Sequence, residues 1–346
     1  MQWGRQPVLI RARAPLRISF CGGGTDVAPY CDERGGVVLS ATINRYATAT
    51  VVPGGKNFTV RSIDYDQSVT YGVDDPFVYD GQLDLAKGVI DHFRRREKLA
   101  EGLEVTLHND APPGSGLGSS SAVTVALVSA LVDLLRLPID DYQVADLAYR
   151  IERLEVGIKG GKQDQYATTF GGFNLIEFHP GGTVLVVPLR LRPETVWELE
   201  HSLVFAYVGG GHFSEQIIEN QVRNYETRRT DSIHAMDRLK VLTQDMKRAL
   251  LVSDLREFGE LLHLAWESKR QMAKGITNPK IDELYDGAIQ AGALGGKMSG
   301  AGGGGFMLFV CDPLRRYAVQ EALRKADSQL VNLTFVEPGV RTWTLK

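Results

Sequence analysis

The sequence predicts an α+β protein of two domains, a strand-rich domain over residues 1–190 and a helix-rich domain over residues 191–346. Three observations support this prediction. Segments typical of strands dominate the first part of the chain, the stretch from 214 to 289 has mostly helical spacing, and there is no internal repeat. A length of 346 residues suits two domains or one large one.

The elements of the first domain follow from alternation, helical spacing and turn residues. Pro15 separates two predicted strand segments, and Gly35 and Gly36 open a predicted strand pair. In chain order we predict strands at 8–13 and 16–21, a strand pair over 37–52, more sheet over 58–71, a helix over 83–99, a strand over 103–108, helices over 122–136 and 139–156 and from 164, and a hairpin over 173–188.

The second domain begins with a strand over 203–208. Helices fill the stretch from 214 to 289, with breaks expected near Thr230, Ser253 and the Asn278-Pro279 pair. A strand over 306–310, a helix over 313–325 and a last strand complete the chain. The helical faces of 214–289 offer enough apolar surface for a homodimer, and packing within the core explains them equally well.

Charge and composition exclude several classes of protein. The net charge is −3, from 39 basic and 42 acidic residues, without the basic surplus of nucleic-acid binders. The apolar segment at 8–10 is too short for a signal-peptide core, and the one at 122–135 is interrupted and too short to span a membrane. Three cysteines without a CxxC pair favour reduced thiols. We therefore expect a cytoplasmic protein with no membrane segment and no nucleic-acid partner.

Glycine is the unusual component of the composition. The chain has 37 glycines in 346 residues, where the usual share is about 7%. Glycine and proline together stay below the roughly 25–30% that marks disordered chains. We therefore expect ordered glycines at strand and helix ends, where backbone N–H groups can approach a ligand closely.

The segment 112–122 is the strongest candidate for a phosphate-binding loop. A predicted strand ends before it, three alternate glycines follow, and three serines open a helix. A helix N-terminus offers unpaired N–H groups and partial positive charge, which suit phosphate. A tight turn with a serine cap is the structural alternative, and the absence of a lysine after the last glycine excludes a Walker A loop. The residues expected to bind the nucleotide are Pro113, Gly114, Ser115, Gly116, Leu117, Gly118, Ser119 and Ser120.

A second glycine cluster, at 300–305, formally matches the dinucleotide-binding pattern GxGxxG. That pattern requires a following helix, whereas the sequence here continues into a predicted strand. We therefore reject a nicotinamide-dependent oxidoreductase and expect a glycine-lined wall against the nucleotide or substrate site.

Three motifs in order resemble those of the GHMP kinases, the family of galactokinase, homoserine kinase, mevalonate kinase and phosphomevalonate kinase. They are APLRISFCGGGTD at 14–26, PPGSGLGSSSA at 112–122 and KMSGAGGGGF at 297–306. The resemblance implies the two-domain fold of that family, with an N-terminal mixed α/β domain holding a left-handed βαβ-type nucleotide site and a ferredoxin-like C-terminal domain. It also implies ATP as donor and Mg²⁺ as cofactor.

The first motif narrows the branch. Galactokinase-like members have Gly-Glu-His-Thr-Asp where this chain has Gly-Gly-Gly-Thr-Asp at 22–26. The latter form is similar to the branch that phosphorylates anomeric hydroxyls, the heptose 7-phosphate kinases and the kinase part of fucokinases, and segments 35–46 and 160–167 look most like the heptose members. The loop 209–214 departs from that branch, with His212 where an arginine is expected.

The resemblance implies D-glycero-D-manno-heptose 7-phosphate as substrate and the 1,7-bisphosphate as product, in nucleotide-activated heptose synthesis for capsule or lipopolysaccharide. A kinase of the same family for another sugar, such as fucose or mannose, is the near alternative. A nucleotide-binding regulator without catalysis is a second alternative, which the presence of Asp164, Arg17 and Glu152 disfavours.

The resemblance assigns the catalytic and metal-binding residues. Asp164 matches the catalytic aspartate that orients and deprotonates the attacking hydroxyl, although it could instead cap the following helix. Arg17 could pair with Asp164 and stabilise charge in the transition state, or be a surface strand residue. Ser120 and Glu152 match the Mg²⁺ ligands and supply the oxygen donors that this ion prefers, although Glu152 could also be a solvated helix residue.

The sugar site is expected at Asp26, which would accept hydrogen bonds from sugar hydroxyls unless it only shapes the turn. Lys159, Lys162 and Arg45 are candidates for a distal phosphate, with solvated charges as the alternative. The residues expected to bind the substrate are Gly22, Gly23, Gly24, Thr25, Asp26, Lys162, Gly209, His212, Gly302 and Gly303.

Overall fold

A computed structural model describes residues 8–97, 99, 101–112, 114–209 and 214–345. Over these residues the chain forms two β-sheets with helices packed against them, which confirms the predicted α+β class. The strands are β1 (Leu9–Cys21), β2 (Gly36–Pro53), β3 (Asn57–Ser62), β4 (Gln67–Gly72), β5 (Leu103–Asn109), β6 (Phe173–Phe178), β7 (Val184–Pro188), β8 (Leu203–Tyr207), β9 (Ala293–Met298), β10 (Phe306–Cys311), β11 (Gln329–Val331) and β12 (Arg341–Leu345).

Helices follow the strands in an irregular alternation. One α-helix continues directly into a π-helix over Arg150–Glu155. π-Helices are rare in proteins overall, and many of those known lie at functional sites. The α-helices are α1 (Tyr30–Arg34), α2 (Asp84–Arg96), α3 (Ser119–Leu135), α4 (Asp141–Tyr149), α5 (Gln163–Phe170), α6 (Pro193–Ser202), α7 (Ser214–Glu226), α8 (Thr230–Leu251), α9 (Leu255–Arg270), α10 (Pro279–Gln290) and α11 (Arg316–Lys325).

The two predictions for the first strands were wrong. β1 is one continuous strand, and Pro15 lies at a shift in its register with β2, where a bulge tolerates a residue that has no N–H to donate. β2 is likewise one strand of 18 residues. Its first residues pair with β6 and its last ones with β5. One long strand therefore pairs with two neighbouring strands, whereas the alternation had indicated two separate strands in this segment.

The larger sheet has the strand order β12-β1-β2-β5-β3-β4, and β6 extends it from β2 towards β7. β3 and β5 pair in parallel, with β4 and α2 between them in the chain. β5 then leads through the predicted phosphate loop into α3. This agrees with the expected β–α–β unit, and the hand of its crossover stays a prediction.

The smaller sheet has the order β11-β8-β10-β9, and every pair in it is antiparallel. Helices α7 to α10 connect β8 to β9, and α11 connects β10 to β11. This β–α–β–β–α–β order is the ferredoxin-like arrangement, as expected. The predicted helix breaks are confirmed, since α8 begins at Thr230, Asp254 caps α9 and Asn278 caps α10.

The end of the chain returns to the larger sheet. Phe335 bridges to Ile43, and β12 pairs with β1. The domain division between residues 190 and 191 stays a prediction. Cys21, Cys31 and Cys311 are buried free thiols. Within the described ranges, no helix combines the length and the apolar character that crossing a bilayer requires.

Candidate active site

A cleft of about 760 Å³ runs between the two sheets. The larger-sheet side contributes the phosphate loop, the start of α3 and the segments 156–161 and 163–164. The smaller-sheet side contributes the first half of α7, the end of α9 and the start of the 300–305 cluster. Clefts between packed units are where small-molecule sites are usually found, and 10 of the 21 predicted site residues line this one.

Arg17 and Asp164, the two residues predicted to be catalytic, are in direct contact. Arg17 lies on β1 and Asp164 in the first turn of α5, and Arg17 Nε donates to Asp164 Oδ1 at 2.6 Å. The Arg17 side chain is 4% exposed and that of Asp164 is 17% exposed. The guanidinium therefore fixes the carboxylate at the cleft wall while leaving it accessible to a substrate hydroxyl.

Arg17 also connects this pair to the phosphate loop. Its Nη1 donates to the Gly116 carbonyl at 2.5 Å, and its backbone N–H donates to the Leu117 carbonyl at 3.0 Å. One guanidinium thus holds both the carboxylate and the loop. A group transferred from the loop towards Asp164 would pass beside a permanent positive charge.

The phosphate loop has the backbone that its glycines predict. Gly114, Gly116 and Gly118 all have left-handed φ angles, of +72°, +76° and +74°. They line the cleft together with Ser119 and Ser120, and no side chain of the described residues caps the N-terminus of α3. The first N–H groups of a long helix are therefore available to an anion. Ser115 and Leu117 are buried within the loop, and Pro113 lies outside the described residues.

We expect Gly116→Ala to destabilise the protein and weaken ATP binding. A Cβ at Gly116 would lie 2.5 Å from the Ser299 carbonyl oxygen, on a backbone that side chains rarely adopt. The free energy of unfolding should fall by about 1–3 kcal/mol, measured by urea denaturation. The matched control is Gly287→Ala in α10, where a Cβ meets nothing within 4 Å and helix propensity predicts a gain of about 0.5–1 kcal/mol. Equal stability of the two variants would contradict this.

The 300–305 cluster packs against the phosphate loop, in agreement with the expected glycine-lined wall. Ser299 Oγ donates to the Gly116 carbonyl at 2.8 Å, and Gly300 and Ala301 line the cleft. Gly302 and Gly303, which were expected to bind the substrate, lie behind that wall. A Cβ on either would collide with residues of the 275–276 turn or with a side chain of α7, so both glycines permit close packing of the C-terminal helices.

Ser120 and Glu152, the predicted metal ligands, are also in contact. Ser120 Oγ donates to Glu152 Oε1 at 2.8 Å, while Gln165 Nε2 donates to Oε2 at 2.6 Å. Arg153 approaches Oε1 at 3.2 Å. Ser120 lines the cleft and the fully buried Glu152 lies behind it, on the π-helix. The predicted alternative of a solvated Glu152 is therefore wrong.

This donor set fits Mg²⁺. Among the described residues no three His, Cys, Asp or Glu side chains cluster as a metal site, so the protein would supply one carboxylate and one hydroxyl. Magnesium usually keeps several waters and takes one or two carboxylates together with phosphate oxygens. The hard oxygen of Ser120 at the cleft wall, backed by the Glu152 carboxylate, matches that preference.

Residues 22–26 form a loop, called the sugar loop below, that lies partly at the cleft wall and partly behind it. Gly23, Gly24 and Asp26 line the cleft. Asp26 accepts from Gly24 N at 2.8 Å and from Gln163 N at 3.0 Å, and so joins the loop to the start of α5. Thr25 is fully buried and donates to the Gly22 carbonyl at 2.8 Å. Gly22 and Thr25 therefore shape the loop from behind.

The candidates for a distal phosphate are dispersed. Lys162 Nζ pairs with Asp32 at 2.6 Å and lies outside the cleft lining, whereas Lys159 lines the cleft and is exposed. Arg45 contacts the Asn44 and Asn332 carbonyls. Gly209 supports the phosphate loop indirectly, since it accepts from Gly305 N at 2.7 Å. His212 lies outside the described residues.

Sequence reasoning missed Lys269. It lies in the last turn of the amphipathic helix α9. A lysine at such a position is usually exposed to solvent, where its charge stabilises the helix C-terminus. In the structure it is 5% exposed, lines the cleft, and donates from Nζ to the Gly300 carbonyl at 2.6 Å. Burial lowers the pKa of Lys269 to about 8, against the opposing effect of the Asp26 carboxylate. No local sequence signal indicates this position, because α9 and the sugar loop are far apart in the chain.

Known proteins share this architecture. The chain matches the models for the GHMP kinases N terminal domain over residues 84–172 and the GHMP kinases C terminal domain over 246–329. It is 37% identical to the D-glycero-alpha-D-manno-heptose 7-phosphate kinase of Campylobacter jejuni, over 97% of this chain and 99% of that protein. It is 28% identical to the bifunctional fucokinase/GDP-fucose pyrophosphorylase of Arabidopsis thaliana, over 88% of this chain and 30% of that protein.

A crystal structure of a D-glycero-D-manno-heptose 1-phosphate kinase from Bacteroides thetaiotaomicron superposes with a TM-score of 0.82 at 36% identity, covering 97% of this chain and 99% of that one. Both family models match in the expected order. The similarity to the Campylobacter jejuni and Bacteroides thetaiotaomicron kinases extends along nearly the whole chain. Together with the phosphate loop, its glycine wall and the Arg17–Asp164 pair, these matches establish that the chain belongs to the GHMP kinase family.

Proposed function

We propose that this protein is an ATP- and Mg²⁺-dependent sugar kinase that phosphorylates the anomeric hydroxyl of D-glycero-D-manno-heptose 7-phosphate to give the 1,7-bisphosphate. The observation that carries the chemistry is the Arg17–Asp164 pair, with Nε and Oδ1 2.6 Å apart, beside an uncapped helix N-terminus. The similarity to the Campylobacter jejuni heptose 7-phosphate kinase supports the substrate. We place the reaction in the cytoplasm, in the supply of activated heptose for surface polysaccharide.

In this mechanism Asp164 orients the anomeric hydroxyl and accepts its proton as the bond from the sugar oxygen to the γ-phosphorus forms and the bond from that phosphorus to ADP breaks. Phosphoryl transfer needs little covalent help from a protein, so orientation and charge stabilisation dominate catalysis. Arg17 holds the Asp164 carboxylate in place at the cleft wall. Its second contact, to the Gly116 carbonyl at 2.5 Å, keeps its positive charge beside the phosphate loop.

The nucleotide would bind along the phosphate loop. The first turn of α3 and the backbone of Gly114, Gly116 and Gly118 would receive its phosphates. The cleft lining also includes Leu83, Leu107 and Val123, an apolar set that suits the face of a base.

Ser120 and Glu152 would hold Mg²⁺, which when bound would neutralise charge on the phosphates. Ser120 reaches the cleft directly, and Gln165 and Arg153 fix the Glu152 carboxylate from behind. The Ser120 hydroxyl donates its hydrogen to Glu152, so the lone pairs of its oxygen stay free for the ion.

The substrate assignment is tested by ADP formation with a panel of sugars. We expect kcat/KM for D-glycero-D-manno-heptose 7-phosphate to exceed that for fucose, mannose and the unphosphorylated heptose by at least 10²-fold, because losing a charged anchor removes a large part of the binding energy. A preference for fucose or mannose would establish the same chemistry on another sugar. Absence of ADP formation with every sugar would contradict the proposed kinase.

A further inference from the structure

Gly23 leaves a small polar space at the sugar end of the cleft. The position that a Cβ on Gly23 would occupy lies 3.2 Å from Ser19 Oγ, 3.3 Å from Gln163 Nε2 and 3.7 Å from Lys269 Nζ. The three atoms come from β1, α5 and α9, so both sides of the cleft contribute. A methyl group at position 23 would therefore fill the space onto which these three polar groups converge.

Two of these side chains carry polar atoms that lack a partner. Ser19 Oγ and Gln163 Oε1 are buried and have no hydrogen bond within the part of the chain that the structure describes. Native proteins pair the large majority of their buried polar atoms. The unpaired Ser19 hydroxyl faces this space, and the unpaired Gln163 oxygen belongs to the amide whose Nε2 lies beside it. Together they indicate a ligand that supplies the missing bonds.

Lys269 has unused donors at the same place. An ammonium group carries three N–H donors, and over the described residues only the Gly300 carbonyl accepts from it, at 2.6 Å. Its electrostatic neighbours are the carboxylates of Asp26 and Asp164, the Arg17 guanidinium and the Cys21 thiol, and Lys297 also senses its charge. The cation is thus buried at the sugar loop with two hydrogens directed to no acceptor among those residues.

We propose that Ser19, Gln163 and Lys269, together with Asp26, form a hydroxyl-binding subsite at Gly23, and that Lys269 determines which sugars the enzyme accepts. The inference rests on the proposed function and assigns the ligand groups of that site. Sugar hydroxyls both donate and accept, and this mixed set offers an acceptor carboxylate, an amide oxygen, a hydroxyl and a cation. The Asp26 carboxylate disfavours a phosphate dianion here, which distinguishes this subsite from a receptor for the distal phosphate.

Gly23→Ala tests the space itself. The backbone of Gly23 lies outside the left-handed region, and its Cβ would meet only side-chain ends, so this variant should fold. We expect the KM for the sugar phosphate to rise at least 10-fold with the KM for ATP unchanged. Gly287→Ala in α10 is the matched control and should change neither constant. An unchanged sugar KM in Gly23→Ala would overturn the subsite.

Lys269→Met tests the specificity role. We expect its sugar KM to rise about 10- to 100-fold, the range for losing a hydrogen bond to a charged group. The inhibition constant of unphosphorylated heptose should rise by the same factor, and discrimination against epimers should shrink. A loss confined to the phosphorylated sugar would show that Lys269 binds the phosphate and would overturn the proposal.

The pH dependence of the sugar KM separates binding from a purely structural role. Because burial lowers the pKa of Lys269 to about 8, the wild-type KM should rise severalfold as the pH passes through 8 and the ammonium loses its proton. Burial raises the pKa of the Cys21 thiol, which therefore stays neutral in this range. Lys269→Met should lack this rise, and an identical rise in the variant would contradict the proposal.

These outcomes remain distinct from failure of the proposed function. A wild-type enzyme that phosphorylates no sugar would remove the kinase assignment. An active wild type with unchanged Gly23→Ala and Lys269→Met variants would remove only the subsite. If Lys269→Met does not fold, Gly23→Ala alone decides.

Discussion

Asp164→Asn is expected to lower kcat by about 10²- to 10⁴-fold, the usual contribution of a general base, while the dissociation constant for ATP stays within about twofold. Asparagine keeps an oxygen that can accept from Arg17 Nε, now 2.6 Å from Asp164 Oδ1, so the local geometry persists. It cannot take the proton of the anomeric hydroxyl. The loss should therefore appear in kcat, measured by coupled ADP release, with nucleotide affinity measured by calorimetry.

Asp146→Asn provides the matched control for this variant. Asp146 lies on α4, is half exposed, and pairs with Arg150 outside the cleft. Exposed ion pairs contribute little to stability, so kcat and the unfolding free energy should both stay near wild type. Turnover of Asp164→Asn close to that of Asp146→Asn would remove Asp164 from the mechanism.

Arg17→Met is expected to lower kcat by about 10²- to 10³-fold, the effect of removing one preorganised donor from a transition state. It also leaves the partly buried Asp164 carboxylate without its charged partner and removes one of the two donors to the Gly116 carbonyl, the one at 2.5 Å, while Ser299 Oγ remains. The free energy of unfolding should fall by about 1–3 kcal/mol. Chemical denaturation and steady-state kinetics measure the two losses separately.

Arg17→Lys distinguishes charge from geometry. Lysine keeps the positive charge but lacks the planar fork that reaches both Asp164 and the Gly116 carbonyl, so we expect partial recovery of kcat. Arg150→Met, which removes an exposed arginine at the start of the π-helix, should leave turnover unchanged. Full activity in Arg17→Met would show that the guanidinium does not act on the reaction.

Local patterns predicted the parts of the site that lie within single segments of the chain. The alternate glycines of the phosphate loop require left-handed φ angles, and the serines after them begin α3. The Arg17–Asp164 contact was anticipated through family resemblance, because no local pattern joins residues separated by 147 positions.

The remaining features depend on tertiary packing. Lys269 is a cleft residue because the C-terminal α9 packs under the sugar loop, and its own sequence context predicts solvent exposure. The opposite holds for Lys162. It was expected to bind the substrate, but its ammonium pairs with Asp32 and the residue does not line the cleft. The uninterrupted β2 likewise follows from its pairing with β5 and β6 on different halves, which alternation alone cannot reveal.

The position of the transferred phosphate is the most direct measurement. Phosphorus NMR of the product formed from ATP and D-glycero-D-manno-heptose 7-phosphate should show two sugar phosphates, the original phosphomonoester and a new one coupled to the anomeric proton. Asp164→Asn should yield little of the new signal under the same conditions. A new phosphate on any other carbon, or ADP and inorganic phosphate with no new sugar phosphate, would contradict anomeric transfer directed by Asp164.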